Sequence, residues 1–133
     1  MRLGTVLFEA RLTEGGFQTQ DATLVKQYCC FEDVFDYGEL PKTKGSYISY
    51  QFIRNVLAAD ALDLSFCLLV DARRPDPIED WYRIVRCIRS AALRTRCRVH
   101  TCRSFGCAFL PACDVFWISN MELDLRVDRR SKR

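Results

Sequence analysis

The sequence predicts an α/β fold, a mixed sheet with crossover helices, and two observations carry that prediction. Ser65-Phe66-Cys67-Leu68-Leu69-Val70-Asp71 is apolar at almost every interior position, the composition of a strand buried on both faces. The segments before and after it, Tyr47–Ala59 and Asp76–Ile88, place their apolar residues at helical spacing, so this strand lies between helices.

From the N-terminus, Arg2–Arg11 reads as a strand that Gly15-Gly16 closes off. Phe17–Lys44 is rich in loops, with a short helix expected over Tyr28–Phe35 and breaks at Gly38, Pro41 and Gly45. Tyr47, Tyr50, Ile53 and Leu57 then recur on one helical face. After the Ser65–Asp71 strand, Asp76-Pro77-Ile78-Glu79 supplies an N-cap acid, a proline at the first helical position and a glutamate in the first turn. Trp81, Ile84, Val85 and Ile88 form the buried stripe of that helix, with Arg83, Arg86 and Arg89 largely opposite. Arg96–Thr101 completes the order strand, helix, strand, helix, strand.

A length of 133 residues with 49% hydrophobic content suits one domain with one core. No apolar run reaches the roughly 18 residues of a membrane span, and no secretory leader is visible, so the chain reads as cytoplasmic. The net charge of +3 is unevenly spread: residues 73–103 hold nine Arg against Asp76, Glu79 and Asp80. Such a block suits phosphate, with Arg73, Arg74, Arg83, Arg86 and Arg89 as candidate nucleic-acid-binding residues and DNA as the partner, although a solvated helix face has the same composition. The basic residues Arg129, Arg130, Lys132 and Arg133 close the chain in what reads as a disordered tail. Oligomeric state has no signature.

Eight cysteines without a secretory signal argue against a disulfide framework, and Cys67 and Cys87 fall in apolar segments where a thiol packs as a small hydrophobe. Cys97, His100, Cys102, Cys107 and Cys113 raise a zinc reading, but no tight C-x2-C pair occurs among them.

The sharpest chemical feature is Glu9-Ala10-Arg11 at the end of the first strand. Strand alternation puts Glu9 and Arg11 on one face. A carboxylate there can share a divalent cation, and a cation two residues on can stabilise charge on phosphate. A surface ion pair is the plainer reading of the same triplet.

The Phe8-Glu9-Ala10-Arg11 strand, the Tyr50-Gln51-Phe52-Ile53-Arg54 helix, the Phe66–Pro75 strand and turn, and Arg94–Val99 together resemble the PD-(D/E)XK nuclease superfamily, in a bacterial restriction endonuclease-like branch, over Leu3 to Thr101. The resemblance implies an incomplete restriction-endonuclease-like core derived from a metal-dependent DNA phosphodiesterase. Glu9 would be the metal ligand and acid of the E-x-K element, Arg11 would stand in the place of its lysine, and Gln51 would lean toward the site from the following helix. Mg2+ would be the cofactor of any remaining activity. Two departures imply impaired catalysis: Arg cannot readily give up its proton, and the strand carrying the family's second metal-binding Asp would fall before Met1.

From Cys102 onward the chain loses clear periodicity, as an out-of-frame translation would, so 1–101 is expected to be a partial nuclease-like domain and 102–133 an irregular segment. The function expected is an impaired nuclease-like domain; the alternatives are a non-catalytic nucleic-acid-binding domain using the Arg block, or a small zinc module around Cys97, His100, Cys102 and Cys107.

Overall fold

The computed structural model describes residues 6–11, 19–102 and 115–117. In chain order the elements are β1 (Val6–Arg11), β2 (Gln20–Asp21), α1 (Ala22–Val25), α2 (Phe31–Val34), β3 (Lys42–Thr43), β4 (Ser46–Tyr47), α3 (Tyr50–Ala61), β5 (Ser65–Asp71), α4 (Pro75–Val85), α5 (Ala91–Arg96), β6 (Cys97–Cys102) and β7 (Val115–Trp117). The fold is α/β, with parallel and antiparallel pairings in separate sheets. The main sheet runs β6-β5-β1-β7 with every pairing parallel; the smaller runs β2-β4-β3.

The expected strand over Ser65–Asp71 is observed with those bounds. Phe66, Leu68 and Val70 are fully buried while Ser65, Cys67 and Leu69 are half-buried, so one face of the sheet is sealed and the other only partly covered among the described residues. Helices α3 and α4 do the sealing. Phe52 of α3 meets Trp81 of α4 edge-on at 5.5 Å between ring centroids, and Phe66 of β5 stands 5.3 Å from the same indole. One aromatic side chain therefore ties a strand and two helices together.

The expected helix over Tyr47–Ala59 begins later, at Tyr50. Ser49 sits in the left-handed region at φ 59°, which interrupts the helical path, and Tyr47 belongs to β4 with its ring 5.5 Å from that of Phe31. Its helix-like spacing reflects burial against a different partner. Strands β3 and β4 are joined through Lys44-Gly45, both at positive φ (47° and 79°), the two-residue turn whose twist matches a hairpin.

Helix α4 also begins earlier than its sequence signals suggest. Pro75 rather than Pro77 occupies the first position, with Arg74 extended before it. Asp76 lies in the first turn and pairs with Arg74 instead of capping. The unanticipated α5 has a legible start: Ser90 accepts a hydrogen bond from the Leu93 backbone N–H at 3.2 Å, followed by Ala91-Ala92-Leu93. The short helix expected over Tyr28–Phe35 contracts to α2, anchored by Phe31 and Val34.

Because Trp81 is 1% exposed and shared by three elements, Trp81→Ala is expected to remove about 3–5 kcal/mol of stability, measured by urea denaturation. A loss under about 1 kcal/mol would show that these elements do not share a core at this side chain.

Candidate functional site

In a parallel pair, residues in register point to the same side of the sheet. Glu9 is in register with Leu68, so its side chain lies on the face that α3 covers. It is half-buried, and Asn55 Nδ2 of α3 donates a hydrogen bond to Glu9 Oε2. Asn55 is itself only 4% exposed. A buried amide donating to a carboxylate satisfies two groups that would each be costly to leave unmatched.

Gln51 lies one turn before Asn55, on the same helical stripe. Because α3 runs back toward the start of β5, Gln51 is displaced by about 6 Å toward the sheet edge at which Arg11 ends β1. Its Oε1 is buried with no hydrogen-bond partner among the described residues. The structure thus brings the Gln51 helix over the Glu9 strand, but the bond to Glu9 comes from Asn55. Sequence reasoning passed over Asn55; a buried-face asparagine four residues after Gln51 in an otherwise apolar stripe was the available signal.

The second carboxylate at this edge is Asp71, which ends β5. It stands three register steps beyond Leu68, about 10 Å along the strand, and on the opposite face from Glu9. Asp71 is instead committed to Arg73, whose Nε donates to both carboxylate oxygens at 2.9 and 3.1 Å and whose backbone N–H donates at 2.9 Å. Those hydrogen bonds hold the Asp71 carboxyl down, from its ordinary 3.8 to about 2. Among the described residues, no three His, Cys, Asp or Glu side chains gather where a metal ion could be held.

The candidate phosphate-binding arginines divide into two groups. Arg73 pairs with Asp71, Arg74 with Asp76 at 2.7 Å, and Arg83 with Asp80 at 3.2 Å and Glu79 at 4.0 Å. Arg86 and Arg89 are exposed, and their guanidinium groups make no hydrogen bond or ion pair among the described residues. The Arg74 hydrogen bond lowers the Asp76 carboxyl, whereas burial raises that of Asp80.

Cys97 and His100 are three positions apart on β6 and so face opposite sides of the sheet. Burial pushes the Cys97 thiol up to about 11, away from the thiolate that binds metal. Cys107 and Cys113 lie outside the described residues, as do Gly15-Gly16 and the basic tail. The side chains of Arg11 and Cys102 lie outside them too.

A family model described as Restriction Endonuclease associating with ARP matches residues 1–122. The chain belongs to this family. No curated protein and no solved structure matches it. The restriction endonuclease-associated match takes in β1, α3, β5 and β6, and continues past Thr101 through Val115–Trp117, which pairs in parallel with β1. The irregular composition from Cys102 onward otherwise falls on residues outside the description. No helix among the described residues is long and apolar enough to cross a membrane.

Two outcomes follow for this edge. In a double-mutant cycle on Glu9→Ala and Asn55→Ala, followed by urea denaturation, the pair should show a coupling of about 1 kcal/mol or more; additive losses would mean the two do not interact. The Asp71 carboxyl is held below its unfolded value, so its contribution to stability is full above about pH 4 and fades between 3.8 and about 2. Arg73→Ala should lower stability at neutral pH and flatten its decline across that acid window, and an unchanged decline would assign the acid sensitivity elsewhere.

Proposed function

We propose that this domain is a nuclease-like module of PD-(D/E)XK descent that holds DNA through phosphate contacts and has lost most or all of its phosphodiester hydrolysis. The observation that carries the reading is the fate of the two strand carboxylates: Glu9 is bonded to Asn55 under α3, and Asp71 is paired with Arg73 on the other face. Metal-assisted phosphodiester cleavage needs carboxylates converging on one cation. Membership of a restriction endonuclease family supports the nuclease-like part of the proposal.

The donor set fits Mg2+ poorly. Glu9 offers a single carboxylate, and a cation with octahedral demands requires several oxygens held at short range. No catalytic step is therefore assigned to a metal ion here. Arg11, two residues after Glu9, supports the same view, because a guanidinium grips phosphate in two-point fashion but does not give up its charge near neutral pH. Arg86 and Arg89 are best suited to phosphate, since local acids engage Arg73, Arg74 and Arg83. The family's description speaks of association with ARP, and on this reading the domain works beside that partner.

Plasmid DNA incubated with the protein and Mg2+ or Mn2+ is expected to stay intact, with wild type, Glu9→Ala and Arg11→Lys indistinguishable. A gel-shift titration should show affinity falling steeply with salt, and Arg86→Ala and Arg89→Ala should each reduce the slope of log K against log salt by about 1. Robust cleavage abolished by Glu9→Ala would overturn the loss of hydrolysis; salt-independent or absent binding would remove the DNA contact.

A further inference from the structure

Cys29 and Cys30 are adjacent and both exposed, with their sulfurs 3.2 Å apart. Neighbouring side chains point apart in a strand and diverge around a helix, so such closeness needs a special backbone. Cys30 supplies it by adopting the left-handed conformation, φ 60° and ψ 13°, just before α2. Both flanks are pinned: the Cys30 carbonyl accepts from the backbone N–H groups of Asp33 and Val34 at 3.1 and 2.9 Å, and Val25, Phe31 and Val34 are buried in the core. The two thiols are thus held together by the fold.

We propose that Cys29-Cys30 is a vicinal dithiol site for a trivalent arsenical, which bridges both sulfurs through one atom. A direct disulfide suits the pair less well, because adjacent Cα atoms lie about 3.8 Å apart whereas disulfides usually span roughly 4.4–6.8 Å. A bridging atom relaxes that constraint. Two bonds of about 2.3 Å, the length of a zinc–thiolate bond, meeting near a right angle separate their sulfurs by about 3.2 Å, the spacing already present. Closed zinc coordination requires further ligands, and no group of three His, Cys, Asp or Glu occurs among the described residues. The reaction balances without electron transfer: with arsenous acid two As–O bonds break, two As–S bonds form, and each thiol proton leaves with a hydroxide as water. A hydrogen bond donated by the Cys30 thiol to the Cys29 sulfur, together with burial and the charges of Cys29, Asp33 and Asp60, raises the Cys30 thiol, so it stays protonated until a bridging centre displaces its proton. This site is independent of the nuclease-like reading.

The test treats the reduced, full-length native protein with phenylarsine oxide and follows intact mass and remaining free thiols. Wild type should take one equivalent tightly, consuming two thiols; 1,2-ethanedithiol should release it and an equal thiol concentration of 2-mercaptoethanol should not. Cys29→Ser and Cys30→Ser should each weaken capture at least tenfold, and Cys29→Ala provides a second exposed-site variant. Equal capture by all these proteins, or consumption of a single thiol, would overturn the proposal.

Discussion

Side-chain parity in the parallel β1–β5 pair is the constraint from which the rest of the site follows. Once Val6 registers with Ser65, Glu9 must share a face with Leu68, and Asp71 must point to the other. A one-residue slip would exchange the faces and expose Phe66, Leu68 and Val70, which are 0–1% exposed. The apolar face therefore fixes where the carboxylates go. Glu9 enters the helix-covered layer, where a charged group persists only with a donor, and α3 supplies Asn55.

The fold was legible where local pattern and tertiary packing agree. The Ser65–Asp71 run and the Trp81 and Ile84 stripe needed no knowledge of neighbours and lie where periodicity puts them, whereas Ile88 is buried beyond the end of α4, bridging to Phe35. Tyr47 shows how burial can imitate helical spacing: its ring is fully buried, but against Phe31 and from a hairpin strand. Helix α4 starts two residues early because Pro75 fits the first helical position as well as Pro77 does. In the site, Glu9 and the helix bearing Gln51 were identifiable as neighbours. Asn55 was not, since a lone asparagine in a helix gains meaning only once the strand beneath it is known.

Charge composition was the least informative guide. The Arg-rich stretch looks like a continuous cationic surface in sequence, yet Asp71, Asp76, Glu79 and Asp80 each lie within hydrogen-bonding or ion-pair reach of one of its members. The exposed pairs among them, such as Arg83 with Glu79, stabilise by only about 0–1 kcal/mol. Their effect is on field rather than fold: paired arginines project less positive potential, and among the described residues Arg86, Arg89, Arg94 and Arg98 are exposed without an acid beside them.

The order of strands gives the edge near Arg11 a significance that the carboxylates alone do not. The chain steps from β1 to β5 to β6 in one direction and then places β7 on the other side of β1, so the order reverses at β1. In open α/β sheets ligands lie beyond the carboxyl ends of the strands at such a reversal. Arg11 ends β1 there, and Gln51 is displaced toward the same edge by the turn separating it from Asn55. Glu9 lies two residues back, beneath α3. A binding function asks only that positive charge and polar groups reach the edge, whereas hydrolysis asks that acids do so as well. The register carries Glu9 inward and Arg73 engages Asp71, so the two strand acids do not converge at this edge, which is the ground on which the proposed loss of hydrolysis stands.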